Sequence, residues 1–198
     1  MVDIPVIFSA PMVRALLDGR KTQTRRLASS PLAKALPDDR LWVRETSMPA
    51  IDAGGGDFRY AADYDTAGYR RMADLHKWTP AIHMVRRASR LTQVVTEVRF
   101  ERLQDISEAD AMAEGITSEE VIVGAHCAGG VHTEVTATRY FYDGCAEEGF
   151  ESAVDAYAAL WDHLHGAGSW DKNPELVALT FTVHQVNIDR MPAAEVAA

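Results

Sequence analysis

A short basic segment near the amino terminus holds residue types that could carry out nucleophilic chemistry. Lys21 and Thr24 lie three residues apart within the segment from Arg20 to Arg26. A threonine hydroxyl is a poor nucleophile and needs a neighbouring base. A lysine amine can be that base if burial, or nearby cations such as Arg25 and Arg26, destabilise its ammonium form. The Lys-x-x-Thr spacing is common by chance, so the interpretation depends on the elements around it.

The residues that precede this segment predict how it is positioned. The apolar run Val6 to Phe8 is typical of a strand. Ser9 is suited to a helix N-cap, and Pro11 falls in the first turn, where its missing N–H costs nothing. Gly19 is suited to the position just after a helix. We therefore expect a strand and a short helix that lead directly into the basic segment.

The rest of the chain predicts a mixture of strands and helices. Strands are expected at 41–46, 58–62, 90–103 and 176–186, and helices after Ser107 and at 150–165. Residues 47–57 are predicted as a loop, 63–80 as a loop with a helical turn, and 117–149 as an insertion. The fold class expected is α+β: a small mixed β-barrel with a few short helices and a longer C-terminal helix.

The charges are unevenly distributed along the chain, although the net charge is −9 at pH 7. Residues 1–100 hold 16 lysines and arginines against 11 acidic residues, whereas residues 101–175 hold 3 against 16. Such asymmetry indicates a local basic surface. It is densest at Arg20 to Arg26, with a second cluster at Arg86, Arg87 and Arg90. Two interpretations stay open: an anion site, or pairing with the acidic half of the chain.

Several protein classes are disfavoured by the sequence. No apolar run is long enough to cross a bilayer, and the first residues lack a secretory signal, so no membrane partner is expected. Two cysteines do not make a disulfide framework, which favours a cytoplasmic protein. His126, Cys127 and His132 lack the second ligand pair of a zinc site, so no metal and no cofactor are predicted.

Four motifs, in order, resemble the ASCH family and its phage and prophage members. The first is Gly-x-Lys-x-x-Thr-x-Arg at Gly19 to Arg26, and the second is Asp-Asp-x-Leu-x-Val-Arg-Glu at Asp38 to Glu45. The third runs from Val98 to Ile116, and the fourth is Trp-Asp-x-Asn-Pro at Trp170 to Pro174. The resemblance implies one PUA-like barrel domain over residues 1–186, with insertions at about 47–80 and 117–149. Residues 187–198 are expected to form a flexible tail.

The resemblance also implies a catalytic set. A small bacterial ASCH enzyme removes the acetyl group from N4-acetylcytidine with a lysine, a threonine three residues later and a glutamate near the end of a short helix. Lys21, Thr24 and Glu114 match those positions. In one hypothesis Thr24 attacks the amide carbonyl, Lys21 takes its proton and Glu114 assists proton transfer and deacylation. In the other, Glu114 activates water directly while Lys21 polarises the carbonyl.

Three functions are compatible with these patterns. The first is an amidohydrolase acting on N4-acetylcytidine or a similar acylated base, and the second is a module that binds or cleaves RNA. The third is a phage accessory protein that binds another protein through residues 117–149. The acidic second half favours a small modified nucleoside over a long RNA. Further substrate or nucleic-acid contacts are expected from Arg20, Arg25, Arg26, Arg44, Glu45, Trp78 and His83.

Overall fold

The computed structural model describes residues 1–50, 58–128, 131–143, 145 and 148–191, with the backbone alone at 126–128 and 131–133. The described residues form strands and helices in an α+β arrangement, as predicted. The helices are α1 Ala10–Leu17, α2 Thr66–Leu75, α3 Glu108–Ala113 and α4 Ala153–His165. The strands are β1 Asp3–Ile7, β2 Gln23–Leu27, β3 Arg40–Arg44, β4 Ser47–Pro49, β5 Phe58–Tyr60, β6 Thr92–Arg102, β7 Thr117–Ala128, β8 Val131–Phe141 and β9 Glu175–His184.

The chain divides into two compact units. The first combines residues 1–100 with the chain from Leu176 onward, and the second is formed by Glu101–Glu175. The described strands form one five-stranded sheet and two separate two-stranded sheets. A closed barrel and a single domain over residues 1–186 therefore stay predictions, and residues 192–198 of the expected tail lie outside the described residues.

A mixed five-stranded sheet organises the first unit. Its strand order is β1-β3-β6-β9-β2. β1 runs parallel to β3, β3 runs antiparallel to β6, and β2 runs antiparallel to β9. Strand β9, the last of the described strands, therefore lies inside the sheet, between β6 and β2.

Helix α1 packs on this sheet because one of its sides is apolar. Ser9 is extended at the N-cap, and Gly19 has a φ of 73° just after the helix, both as predicted. A helix of eight residues is too short to be stable by itself in water. Burial of Val13 and Leu16 in the core of the sheet supplies the missing stabilisation. The other core side chains include Val6, Phe8, Leu41, Val43, Leu91, Val95, Val177, Leu179 and Phe181.

Two predictions for the first unit were wrong. Part of the expected loop 47–57 forms β4, while residues 51–57 lie outside the described residues. Part of the basic segment after α1 forms strand β2, which the sequence did not indicate. Within 63–80 there is a ten-residue helix, α2, rather than one helical turn. None of its residues is fully buried, and Met72 is only partly buried where it packs against the cluster of Met48, Ala61 and Trp78. Its N-cap, Asp65, accepts a hydrogen bond from the Gly68 N–H.

The second unit combines a long hairpin with two helices. β7 and β8 pair antiparallel, with a register shift between Ile122 and Gly124. The sequence did not predict these strands because several of their hydrophobic and acidic side chains are exposed, which removes the usual alternation. Helices α3 and α4 pack against each other, and α4 begins at Ala153 rather than Phe150. Its N-cap, Ser152, accepts a hydrogen bond from the Asp155 N–H.

The carboxylate of Asp162, near the end of α4, organises the following loop. It accepts hydrogen bonds from the Gly168 N–H at 3.0 Å, the Ser169 hydroxyl at 2.9 Å and the Trp170 N–H at 2.7 Å. The Trp170 and Gly168 amides lower the pKa of Asp162, because they bind its ionised form. The Trp-Asp-x-Asn-Pro motif is thus connected to α4 through one side chain.

Among the described residues, no helix is both long and apolar enough to span a membrane.

Candidate functional site

Lys21 and Thr24 are buried in the first unit, beside the end of α1. Their exposed fractions are 2% and 0%. The Lys21 N–H donates a hydrogen bond to the Ala15 carbonyl at 3.0 Å, which fixes the chain as it leaves the helix. Thr24 lies in β2 opposite Leu179 of β9. Cross-strand partners share a face of the sheet, so the Thr24 side chain lies on the same face as the core residue Leu179.

Arg26 connects Thr24 to the surrounding structure. Its Nη1 donates a hydrogen bond to Thr24 Oγ1 at 2.8 Å and another to the Arg25 carbonyl at 2.9 Å. Its Nη2 donates to the Ile7 carbonyl at 3.2 Å. A cationic donor on a hydroxyl oxygen stabilises the negative charge that forms when the hydroxyl loses its proton. The arrangement therefore favours a more nucleophilic Thr24.

The ring of Phe8 lies beside two cations. Lys21 Nζ is 5.6 Å from the ring centroid, and the guanidinium carbon of Arg26 is 5.3 Å from it. Both distances fall within the range of cation–π attraction. The ring thus contributes to holding Lys21 and Arg26 in the same buried neighbourhood as Thr24. We call Phe8, Lys21, Thr24 and Arg26 the Lys21 cluster.

Glu114, the third predicted catalytic residue, is in the second unit. It is the C-cap of α3 and is 4% exposed. Its N–H donates a hydrogen bond to the Asp110 carbonyl at 2.9 Å, and Gly115 follows with a φ of 109°. The predicted short helix that ends at Gly115 is confirmed. The structure brings Lys21 and Thr24 together within one unit, whereas the association of Glu114 with them stays a prediction.

The remaining arginines of the basic segment do not form a continuous exposed surface. Arg20 is exposed and pairs with Asp18 at 2.9 Å. Arg25 is buried, and its Nη1 donates a hydrogen bond to Gln23 Oε1 at 3.2 Å. Little of this segment is therefore available to contact the phosphates of a nucleic acid.

The other predicted contact residues have different environments. Arg44 packs over the ring of Trp42 and donates a hydrogen bond to the Ile82 carbonyl. Trp78 is buried against Met48, whereas His83 is exposed. The structure thus places Trp78 in a small apolar core, which leaves little of its ring for stacking a base.

Glu45 forms a bidentate ion pair with Arg90 in the first unit. Arg90 Nε and Nη2 donate hydrogen bonds to Glu45 Oε1 and Oε2 at 2.9 and 3.0 Å. Arg90 also contacts Asp63, with Nη2 to Oδ1 at 2.8 Å, and its guanidinium carbon lies 3.9 Å from the Tyr60 ring centroid. The Glu45 side chain is 2% exposed and that of Arg90 24%. The ion pair is therefore bidentate, the Arg90 guanidinium stacks on the Tyr60 ring, and both charged side chains are largely withdrawn from water.

Burial and hydrogen bonding act against each other at both members of this pair. Burial raises the pKa of Glu45, and the hydrogen bonds and charge of Arg90 oppose the rise without cancelling it. Burial alone would lower the pKa of Arg90. The hydrogen bonds to Glu45 and Asp63 outweigh burial, and the pKa of Arg90 is raised as a result. The sequence indicated Glu45 through its motif. It gave no sign of Asp63 or Tyr60, because they approach Arg90 only in the folded chain.

A cavity of about 680 Å³ lies beside α1 in the first unit. It is lined by Ala10, Arg14, Thr46, Ala61, Ala62, Asp63, Tyr64, Asp65, Thr66 and Tyr69. Tyr69 stacks on Trp78, with ring centroids 5.1 Å apart and 11° between the planes. The volume of the cavity falls within the range of small-molecule sites, roughly 300–1,000 Å³. We call it the tyrosine cavity. The sequence did not predict it, since its tyrosines lie in the stretch expected to be a loop.

The described residues were also searched for metal ligands. Among them, no three His, Cys, Asp or Glu side chains converge in a way that could hold an ion. The side chains of His126, Cys127 and His132 lie outside the described part of the structure.

Comparisons of the chain with protein-family models, curated proteins and solved structures found no match. The resemblance to the ASCH family therefore rests on the four sequence motifs and stays a prediction.

Proposed function

We propose that this protein is a nucleoside deacylase of the ASCH type, with a PUA-like barrel, that hydrolyses N4-acetylcytidine or a similar acylated base. The observation that carries the proposal is the hydrogen bond of 2.8 Å from Arg26 to the buried hydroxyl of Thr24. A buried hydroxyl that accepts a hydrogen bond from a cationic side chain is a candidate nucleophile, and Lys21, buried three residues earlier in the chain, is the candidate base.

In the proposed reaction Thr24 Oγ1 attacks the carbonyl carbon of the acylated amine, while Lys21 Nζ accepts the hydroxyl proton. The C–N bond of the tetrahedral intermediate then breaks, and the proton passes from Lys21 to the leaving nitrogen. The products of this step are the free nucleoside and an acyl ester on Thr24. Water then hydrolyses the ester, which releases the carboxylic acid and restores the hydroxyl; the resemblance to the ASCH family implies Glu114 as the base for this step.

Two further features support a small substrate. Burial of Lys21 and Thr24 limits the group that can reach them, and an acetyl group is small. The tyrosine cavity, in the same unit, offers a volume of about 680 Å³ with Tyr64 and Tyr69 in its lining, and a base stacks well on such rings. Because Lys21 and Thr24 are almost inaccessible, turnover requires the segments that cover them to move.

The test is a mass-spectrometric assay of purified protein with N4-acetylcytidine. Conversion to cytidine by the wild type, lost in Lys21→Ala and in Glu114→Ala, would support the proposal. Arg71→Ala, at an exposed position of α2, is the matched control for loss of a charge and should keep full activity. If the wild type leaves the substrate intact, the deacylase proposal fails for this substrate, and RNA binding with a steep salt dependence becomes the function to test.

A second comparison separates the two catalytic routes. Thr24→Ser keeps a hydroxyl and should keep measurable turnover, whereas Thr24→Val should abolish it. Detection of an acyl group on Thr24 by mass spectrometry would support covalent catalysis directly. A Thr24→Val protein that retains most of its activity would instead support direct attack by water activated by Glu114.

A further inference from the structure

A second, smaller cavity in the first unit is rich in arginine. Its volume is about 300 Å³. It lies away from the Lys21 cluster in sequence and is lined by Phe58, Tyr60, Arg87, Ser89, Arg90, Gln185, Val186, Asn187 and Arg190. No aspartate or glutamate is among these lining residues. We call it the arginine cavity.

The three arginines of this cavity differ in how their charge is balanced. Arg90 is paired with Glu45 and Asp63, so its charge is already compensated. Arg87 and Arg190 are exposed, and within the described part of the chain neither contacts a carboxylate. Two positive charges that line one concave site, without partner acids among the described residues, favour a negatively charged ligand.

The aromatic rings of the cavity hold the arginines rather than offer a stacking surface. The guanidinium carbon of Arg90 lies 3.9 Å from the centroid of the Tyr60 ring. That of Arg87 lies 5.7 Å from the centroid of the Phe58 ring. Since cations already contact both rings, recognition here depends on the guanidinium donors more than on a base.

Other polar side chains that line the cavity are already hydrogen-bonded to the protein. Asn187 Nδ2 donates to the Arg86 and Ser89 carbonyls at 2.9 and 2.7 Å, and its Oδ1 accepts from the Asp189 N–H at 3.0 Å. Ser89 Oγ donates to the Val43 carbonyl, 2.9 Å away, and Gln185 Nε2 donates to the Leu17 carbonyl at 3.4 Å. Arg87 and Arg190 are therefore the cationic donors that a ligand would meet.

We propose that the arginine cavity binds a phosphate group, through Arg87 and Arg190. A guanidinium presents a planar fork of N–H donors that matches phosphate oxygens, and the two cations match the charge of a phosphate dianion. A volume of about 300 Å³ admits a phosphate group with a small substituent rather than a polymer. The ligand is therefore free phosphate or the phosphate monoester of a small molecule, and this inference does not depend on the deacylase proposal.

Calorimetric titration of the full chain tests the proposal, with inorganic phosphate, cytidine 5′-monophosphate and uncharged cytidine as probes. We expect saturable binding of the phosphate probes that weakens with salt. Arg87→Gln/Arg190→Gln should bind them at least about tenfold more weakly, since it removes two charge-assisted donors. Tighter binding of the nucleotide than of phosphate would identify a monoester as the ligand, and equal binding would identify the free anion.

The control is Arg70→Gln/Arg71→Gln, which removes the same charge from exposed positions of α2 outside the cavity. Its affinity for phosphate should equal that of the wild type, and circular dichroism should show both double variants to be folded. The proposal is overturned if the wild type binds neither phosphate probe saturably, if the cavity variant binds as tightly as the wild type, or if both double variants lose affinity equally.

Discussion

The guanidinium of Arg26 donates a hydrogen bond of 2.8 Å to the hydroxyl oxygen of Thr24, two residues before it on β2. Residues i and i+2 of a strand point to the same face, so the strand geometry itself brings this donor to the hydroxyl. The contact therefore follows once β2 has its strand conformation, and it links the nucleophile of the proposed reaction to a positive charge.

Thr24→Val should destabilise the protein by about 1–3 kcal/mol, because the variant keeps the shape of Thr24 and removes the acceptor of the Arg26 hydrogen bond. Thr24→Ser should cost less, since it keeps the acceptor. Urea unfolding measures both free energies, and a cycle with Arg26→Met isolates the coupling. Equal stability of Thr24→Val and wild type would show that the hydrogen bond contributes nothing to folding.

Arg90→Met should destabilise the protein by about 3 kcal/mol at neutral pH, because it leaves the carboxylate of Glu45 buried without its cation. The loss should shrink as the pH falls toward 4.5, the usual pKa of a glutamate, because Glu45 in the folded protein takes up its proton above that pH. The pKa of Glu45 is raised in the folded protein, so this group favours folding at low pH and loses that contribution as the pH rises through its folded-state pKa. A deficit that is independent of pH in urea unfolding would contradict this account.

Asp3 should make the stability of the first unit fall in acid. Burial raises its pKa, but hydrogen bonds from Arg86 and Arg40 outweigh burial, and the pKa is lowered from 3.8. A lowered pKa means that the stabilisation is present above 3.8 and is lost as the pH falls through the folded-state pKa. Asp3→Asn should therefore be less stable than wild type at neutral pH and equal to it in strong acid.

The control for Asp3 is Asp74→Asn, which removes one negative charge from an exposed position of α2. Thermal unfolding across the acid range should show the Asp74 variant following the wild type. If Asp3→Asn also shows the pH dependence of the wild type, the contacts of Asp3 with Arg40 and Arg86 do not contribute to that pH dependence.

Asp162→Asn should loosen the loop after α4, because a neutral amide binds the Gly168 and Trp170 amides less strongly than a carboxylate does. Hydrogen exchange at these two amides should become faster, while the middle of α4 changes little. The lowered pKa of Asp162 predicts the same loosening in the wild type as the pH falls through its folded-state pKa. Asp171→Asn, exposed in the same loop, should leave the exchange unchanged.

The sequence predicted the elements whose signals are local. The N-cap Ser9, the proline after it and Gly19 mark the ends of α1, and Ser107 and Gly115 mark those of α3. Caps and positive-φ glycines depend on neighbours in the chain, so they can be recognised without knowledge of the fold.

The sequence did not predict the elements that depend on distant partners. β2 is rich in polar and charged residues, and its strand conformation depends on pairing with β9. The same holds for the site: the motif indicated Lys21 and Thr24, but the contacts of Thr24 with Arg26 and of Arg90 with Glu45 required the structure. Tertiary pairing overrides local preference at such positions.

The position of β9 within the sheet has a consequence for the order of folding. β2 hydrogen-bonds to β9, so residues 23–27 wait for residues 176–180 before they gain their partner strand. Closing a loop of that length carries a large entropic cost, and pairing across it slows folding. Helix α1 and the β1–β3 pair can form from neighbouring sequence, whereas Thr24 gains its partner strand only after residues 176–180 have been synthesised. A nascent chain would thus hold the proposed nucleophile in an unpaired segment until those residues emerge.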